Sequence, residues 1–139
     1  MKKTLVALAT AAWATAAISG ETPAPDGAAV YFINIQDGDT LSSPVTIQFG
    51  LTGMGVAPAG TEREHTGHHH LIINEAIEGE ELNEPIPLDD QHRHFGGGQT
   101  EVTLDLPAGE HTLQLVLADW SHIPHNPPVM SERITVKVE

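Results

Sequence analysis

The fold is indicated most directly by residues 45–51, Val45-Thr46-Ile47-Gln48-Phe49-Gly50-Leu51, where large apolar side chains occupy every second position. Successive side chains of a β-strand point to opposite faces, so this period of two predicts a strand with one buried face. Five further runs are predicted to be strands: residues 102–106, 113–117 and 134–138 alternate in the same way, and residues 29–35 and 71–73 are more uniformly apolar, as in strands covered on both faces.

Six such strands favour an all-β fold, a small antiparallel β-sandwich of the immunoglobulin-like kind, with an up-and-down β-barrel as the alternative. The turn signals between the strands are Asp37-Gly38-Asp39, Gly96-Gly97-Gly98 and Pro107-Ala108-Gly109. A seventh strand could lie in residues 75–90, where Pro85 and Pro87 favour an edge strand or a loop. We expect a single sandwich domain over residues 29–139.

The first residues of the chain predict export. Two lysines precede an apolar run over residues 5–18 that ends in small side chains, which is the pattern of a secretory signal peptide over residues 1–19. Cleavage is expected after Ala16 or Ser19, and residues 20–28 are expected to be a flexible lead-in. No later apolar run is long enough for a membrane-spanning helix. The sequence therefore predicts a periplasmic or secreted protein without a membrane anchor.

The chain is strongly acidic, with 19 acidic and 6 basic residues and a formal net charge of −13. Without Lys2 and Lys3, four basic residues oppose the nineteen acidic ones, and the charge becomes −15. Such a field repels nucleic acid and anionic lipid, and it concentrates cations. We expect neither nucleic acid nor a membrane surface as a partner, and the acidity either keeps the protein soluble or also steers metal ions.

Histidine is the residue type that points to chemistry. Eight of the nine histidines fall into three short clusters, and the chain has no cysteine. The clusters are His65/His68/His69/His70, His92/His94 and His122/His125. Imidazole is the commonest metal ligand in proteins and binds metal near neutral pH. The clusters therefore predict a site for a first-row transition-metal ion.

In the first cluster, strand alternation predicts which histidines act together. If it extends through the cluster, His68 and His70 project from one face as an H-x-H pair that can chelate one ion. His69 then shares the opposite face with Leu71, and it is expected at the core margin with its polar nitrogen hydrogen-bonded. His65 is either a further ligand or solvated.

The second cluster, His92 and His94, is again an H-x-H pair, with surface loop positions as the alternative to a metal site. The glycines that follow it let the backbone pass close to a neighbour or turn sharply.

The third cluster, His122 and His125, is predicted to lie on a loop stiffened by three prolines within residues 124–128. Asp119 could orient a ligand imidazole through a hydrogen bond or close the turn with its own backbone, and the turn role is expected. Met130 is a further potential ligand, with core packing as the alternative.

Four motifs, taken in order, resemble a family of bacterial exported, histidine-rich domains known as domain-of-unknown-function family 4399. They are residues 67–73, 95–101, 109–113 and 119–129. The resemblance covers about residues 31–138. It implies export and one compact β domain, and it implies no reaction.

An all-imidazole site without thiolate suits Cu(II), Zn(II) or Ni(II), and the usual affinity order together with export favours copper, with zinc second. We expect the affinity for metal to fall as the pH drops through the ordinary histidine range near 6.5. The resulting hypothesis is a periplasmic protein that binds copper for sequestration or for delivery to a metal-receiving protein.

Two other classes of function stay open. One is a structural or interaction module of the immunoglobulin-like kind that binds no metal. The other is a histidine-ligated metalloenzyme, in which a metal-bound water hydrolyses a substrate or copper performs redox chemistry. The chain has no cysteine nucleophile, no G-x-S-x-G motif and no phosphate-binding glycine loop, which favours a binding protein over an enzyme.

Overall fold

The computed structural model describes residues 22–139, and the predicted signal peptide lies outside them. The described residues form ten β-strands and one short 3-10 helix, Gly79–Asn83. The strands are β1 (Ala29–Phe32), β2 (Thr40–Leu41), β3 (Val45–Thr52), β4 (Gly55–Val56), β5 (Thr66–Ile73), β6 (His92–His94), β7 (Glu101–Leu104), β8 (Gly109–Ala118), β9 (Pro124–Met130) and β10 (Ile134–Val138). No helix in this part of the chain is long and apolar enough to cross a membrane.

The strands form two sheets. β1, β3 and β7 make a three-stranded sheet with β3 in the middle. The larger sheet has the order β2-β10-β8-β5-β4, with β6 added on β5 and β9 added on β8. The pairs β2–β10 and β4–β5 are parallel, and the other pairs between the described strands are antiparallel. Both sheets are open, so the predicted all-β sandwich is confirmed and the alternative, a closed barrel, is wrong for residues 22–139.

The hydrophobic core lies between the two sheets. The small sheet contributes Val45, Ile47 and Phe49 from β3. The large sheet contributes alternate residues of three strands, namely Leu71, Ile73, Leu113, Leu115, Leu117, Ile134, Val136 and Val138. Full burial of such a side chain stabilises the fold by about 1.5–3 kcal/mol. A slip of one residue would turn a strand's whole apolar set outward, so this core fixes the register of each strand.

The outer face of the large sheet is covered as well. Ile72 of β5 and Val116 and Ala118 of β8 are buried there against Ile77 and Ile86. The last two residues belong to the connection between β5 and β6, which packs over this face. β5 is therefore buried on both faces, as its uniformly apolar residues predict.

Four of the strands were not predicted from the sequence. β2, β4 and β6 are two or three residues long, too short to show an alternation. β9 occupies the proline-rich segment that was expected to be a loop, and that prediction was wrong. β9 pairs with β8 alone among the strands, and an edge position tolerates the missing N–H groups of its prolines. Residues 75–90, all of them described, contain the 3-10 helix and no strand.

Residues 22–24, expected to belong to a flexible lead-in, are bound to β9. The N–H of Asn126 donates to the carbonyl oxygen of Thr22 (3.0 Å), and the N–H of Ala24 donates to that of Asn126 (3.1 Å). Pro23 and Asn126 form a parallel β-bridge. The first described residues thus extend the large sheet beside β9.

Gly67 of β5 provides a test of this packing. A Cβ at Gly67 would lie 2.6 Å from the carbonyl oxygen of Ala118 and 2.8 Å from Cε1 of His125, whereas a Cβ at Gly55 of β4 would meet nothing nearer than 3.7 Å. We expect Gly67→Ala to lower the free energy of unfolding by about 1–3 kcal/mol. The control Gly55→Ala should change it by less than about 0.5 kcal/mol. Urea unfolding measures both, and equal stabilities would contradict the close packing of β5 on β8.

Candidate metal centre

β5 positions two histidines on the outer face of the large sheet. Strand alternation directs Leu71 into the core, and it directs His68 and His70 to the opposite face. Both imidazoles are fully buried, with ring centroids 4.8 Å apart. His69 lies on the inner face, where its ring packs on Phe49 at a centroid distance of 5.2 Å. This is the division of the cluster that the alternation predicts.

β6 brings a third histidine to the same place. β6 runs antiparallel to β5, and the register opposes His94 to His70. Directly opposed residues project from the same face, so the ring of His94 lies 5.2 Å from that of His70 and 5.0 Å from that of His68. A Cβ at Gly96 would overlap the ring of His94, and Gly98 turns with a φ of 85°. The glycine run therefore does both things that the sequence left open: its backbone passes close to a neighbouring side chain, and it turns sharply.

The loop between β8 and β9 supplies a fourth histidine, His122. Its N–H donates to the carbonyl oxygen of Asp119 (3.0 Å), and its carbonyl oxygen accepts from the N–H of Ile86 (2.9 Å). Its φ of 70° lies in the left-handed region, which is uncommon for a residue with a side chain and is often found at functional sites. Two backbone hydrogen bonds thus hold this strained residue with its ring against that of His68.

Asp119 fixes the loop. Its buried carboxylate accepts hydrogen bonds from the hydroxyl of Thr22 (2.6 Å), the N–H and hydroxyl of Ser121 (2.9 and 2.7 Å) and the N–H of Ile123 (3.1 Å). Burial raises the pKa of Asp119, but these hydrogen bonds outweigh it and hold the pKa below its usual value. None of the four donors is an imidazole, so the carboxylate has the turn role that was expected. Its negative charge still favours positive charge at His68, whose pKa it acts to raise.

His68, His70, His94 and His122 form one group, which we call the histidine tetrad. One ring nitrogen from each lies within 4.8 Å of the others. Nε2 of His68 is 3.0 Å from Nε2 of His70 and 3.1 Å from Nδ1 of His122. Nitrogens bound to one tetrahedral ion at 2.0–2.1 Å lie about 3.3 Å from each other. The closest nitrogens are therefore near the separation that a shared ion requires.

Hydrogen bonds within the tetrad leave its nitrogens unsatisfied. An imidazole nitrogen carries either one proton or one lone pair, yet Nε2 of His68 faces two other nitrogens. Nδ1 of His68, Nδ1 of His70 and Nε2 of His94 are buried without a hydrogen-bond partner in the described part of the chain. Each such group costs about 1–3 kcal/mol. A cation can accept one lone pair from each of several rings at once, which suits the Nε2 atoms of His68 and His70 that face each other, whereas the Nδ1 atoms of these two rings would still lack a partner.

Burial keeps these rings unprotonated at neutral pH. Desolvation, aided by the neighbouring histidines, lowers the pKa of His68 to about 4 and that of His70 to about 2. Burial also lowers the pKa of His94, with a smaller effect from His122. The expectation that protons compete near pH 6.5 assumed ordinary histidines. The lowered pKa values mean that the buried rings take up protons only at a lower pH, so we now expect them to release metal below that range.

Two of the other predicted ligands lie nearer the surface. His65 is half exposed, and its Nε2 lies 3.7 Å from the carboxylate of Glu64. His92 is on the same strand as His94, but its Nδ1 pairs with the carboxylate of Asp89 at 2.8 Å. The hydrogen bond from His92 is the main cause of a lowered pKa at Asp89. Neither imidazole is part of the tetrad.

The last two predicted ligands also lie outside the tetrad. His125 is buried, and its ring nitrogens face the carbonyl oxygens of Thr66 (3.2 Å) and Leu117 (3.3 Å), so it bridges β5 and β8. Met130 packs with the apolar residues on the outer face of the large sheet. It lies two strands from His70, a separation of about 10 Å at ordinary strand spacing.

The expectation that the ring nitrogen of His69 is hydrogen-bonded was wrong. Both are buried with no hydrogen-bond partner among residues 22–139, and desolvation lowers the pKa of His69 to about 4. His111 shows the ordinary alternative for a buried histidine. Its Nδ1 lies 3.0 Å from the amide nitrogen of Asn74, and its Nε2 donates to the carbonyl oxygen of Pro107 at 2.7 Å.

Two hydrogen bonds that hold the site in place could not be predicted from the sequence. The hydroxyl of Thr22 reaches Asp119 across 97 positions of the chain, and the N–H of Ile86 holds the carbonyl of His122. Both are single long-range contacts of ordinary residues, and no local pattern marks such a contact.

Fold and site together define a β-sandwich protein with a buried group of four imidazoles on the outer face of one sheet. Residues 47–139, most of the chain and all of the tetrad, match the family described as "Domain of unknown function (DUF4399)", and the chain belongs to that family. No curated protein and no solved structure matches the chain. The match confirms membership in the family that the sequence motifs resemble, and the family assigns no reaction.

The buried histidines predict an acid-sensitive fold. In the unfolded chain the pKa values of His68, His69 and His70 return to about 6.5, so the unfolded state takes up protons below that pH while the folded state does not. In the presence of a chelator, stability should be complete above about pH 6.5 and should fall as the pH drops towards 4. The expected loss is up to about 1.4 kcal/mol per pH unit for each histidine. Urea unfolding at a series of pH values measures it.

His69→Phe provides the matched variant, because the phenyl ring would pack beside Phe49 and does not titrate. Its unfolding free energy should depend less steeply on pH than that of the parent protein. His65→Ala, at an exposed histidine, should leave the slope unchanged. A stability that stays flat between about pH 7.5 and 4.5 would contradict the burial of these rings.

Proposed function

We propose that this protein is an exported metal-binding protein that holds one first-row transition-metal ion in the histidine tetrad, for sequestration or delivery. The observation that carries the proposal is the convergence of imidazoles from β5, β6 and the β8–β9 loop on one point. Hydrophobic packing alone does not favour the burial of four polar rings in contact with one another. A shared ion would accept one ring nitrogen from each of the four histidines together.

The charge state of the tetrad supports this proposal. His68 and His70 are neutral at physiological pH, so their lone pairs are free for a metal without prior loss of a proton. The carboxylate of Asp119 places a negative charge close to the site. The net charge of −13 raises the concentration of cations around the whole molecule.

Differences in burial within the tetrad suggest how the ion enters and leaves. His68 and His70 are fully buried, whereas His94 and His122 are half-buried and form the side towards solvent. His122 is also the member carried by a loop. We propose that the ion passes this side and that release begins with His122, which fits a protein that transfers its cargo.

The cargo and the compartment are part of the same proposal. Copper, favoured by the sequence, and zinc both accept imidazole ligands. The predicted signal peptide supports a periplasmic or secreted location, where a metal-receiving protein would be the partner.

Titration of the purified protein with Cu(II) and Zn(II) tests the proposal. We expect one ion per chain, bound more tightly than micromolar. The double variant His68→Ala/His70→Ala should lose at least about a hundredfold in affinity because it removes half of the ligands. His65→Ala and His92→Ala are the matched controls, since both remove an imidazole outside the tetrad, and both should bind as the parent does.

Either of two results would refute the site. One is the absence of binding tighter than micromolar, which would leave a β-sandwich module without metal. The other is binding that is unaffected by His68→Ala/His70→Ala, and its loss in His65→Ala or His92→Ala would then locate the site elsewhere. The unfolding midpoint of each variant, measured alongside, shows that it is folded.

The loop that carries His122 gives a second prediction. Asp119→Asn keeps the shape of the side chain but removes its charge and replaces one of its two acceptor oxygens with an NH2 donor, so we expect metal affinity to fall about tenfold or more. Thr22→Val removes one hydrogen bond to Asp119 and should cause a smaller loss. Asp89→Asn, an exposed carboxylate paired with His92, should have no effect. Calorimetric titration compares the three, and equal affinities would show that the loop does not position His122.

A further inference from the structure

The tetrad has a definite shape. The six distances between its ring centroids run from 4.7 to 6.0 Å. The two longest are 5.2 Å for His70 and His94 and 6.0 Å for His70 and His122. In a square the two longest distances are the diagonals, which share no corner. Here they share His70, so the four rings do not occupy the corners of a square.

The distances agree with a tetrahedron. Nitrogens 2.0–2.1 Å from one ion place the ring centroids about 3.2 Å from it, and hence about 5.2 Å apart in a tetrahedral arrangement. A square-planar arrangement with the same bond lengths gives about 4.5 Å for neighbouring rings and about 6.4 Å for opposite rings. Five of the six measured distances fall between 4.7 and 5.2 Å.

The backbone explains this shape. His68, His70 and His94 project from one sheet face and form a triangular base. His122 approaches from the covering loop, and its ring plane stands at 87°, 81° and 70° to the rings of the base. To enter a common plane with the others, His122 would have to leave a position in which both its N–H and its carbonyl oxygen are hydrogen-bonded.

Building on the proposed function, the geometry points to selection of ions that accept tetrahedral coordination by four nitrogens, with Zn(II) as the preferred cargo and Cu(II) and Ni(II) disfavoured. Zn(II) has no geometric preference of its own, whereas Cu(II) and Ni(II) favour square-planar or tetragonal sites. Within residues 22–139, sulfur ligands, which favour Cu(I), lie outside the tetrad, because there is no cysteine, Met54 packs against the core between the sheets, and Met130 lies two strands from His70. This assignment reverses the order of copper and zinc that the sequence alone favours.

Cobalt and nickel provide the test. In the ordinary affinity series Ni(II) binds more tightly than Co(II). In the full chain, stripped with a chelator, we expect Co(II) to bind at least tenfold more tightly than Ni(II). The Co(II) form should show the intense visible bands of four-coordinate cobalt, and one equivalent of Zn(II) should abolish them.

Two variants make the result specific. His122→Ala leaves a fourth coordination position that water can fill, so Co(II) should bind more weakly, its visible bands should shift, and the preference for Co(II) over Ni(II) should shrink. His94→Gln, at a half-buried position, should do the same if His122→Ala proves unstable, and His65→Ala should behave as the parent.

Tighter binding of Ni(II) than Co(II), or the weak spectrum of six-coordinate Co(II), would overturn the selectivity while leaving metal binding by the tetrad intact. Absence of metal binding, or binding indifferent to His68→Ala/His70→Ala, would overturn the proposed function as well.

Discussion

The pairing of β5 between β8 and β6 is the constraint on which the rest of the structure depends. Both faces of β5 are buried from solvent, so strand alternation places three consecutive histidines on two different buried faces. His69 enters the hydrophobic core, and its two neighbours face the covering loop. The register that the core imposes on β5 and β8 therefore also sets the position of the histidine tetrad.

This arrangement carries a thermodynamic penalty. Four imidazoles and His69 are packed where several of their nitrogens find no hydrogen-bond partner within residues 22–139. The chain has no cysteine and hence no disulfide to offset the loss. A ligand that binds only the folded state stabilises it by about 2.7 kcal/mol at a concentration of 100 times its Kd. A metal ion in the tetrad would thus couple the stability of the fold to its cargo, and the loop held by Asp119 would gain most from that coupling.

Much of the fold could be read from local patterns, because long alternating runs such as residues 45–51 and 113–117 reflect burial of one strand face. Alternation also separated His69 from His68 and His70. Short strands and β9 could not be read, since three residues show no period and proline normally argues against a strand. The sequence could not show that His94 belongs to the tetrad and His92 does not, because this depends on the register of β6. Likewise, His122 rather than His125 belongs to it because of contacts distant in sequence, such as that between Thr22 and Asp119.

Diffraction from crystals soaked in Zn(II), recorded at the zinc absorption edge, tests the central claim most directly. We expect one strong anomalous peak enclosed by His68, His70, His94 and His122, about 2.0–2.1 Å from one nitrogen of each. An empty tetrad, with the strongest peak beside His65 or between His92 and Asp89, would contradict it.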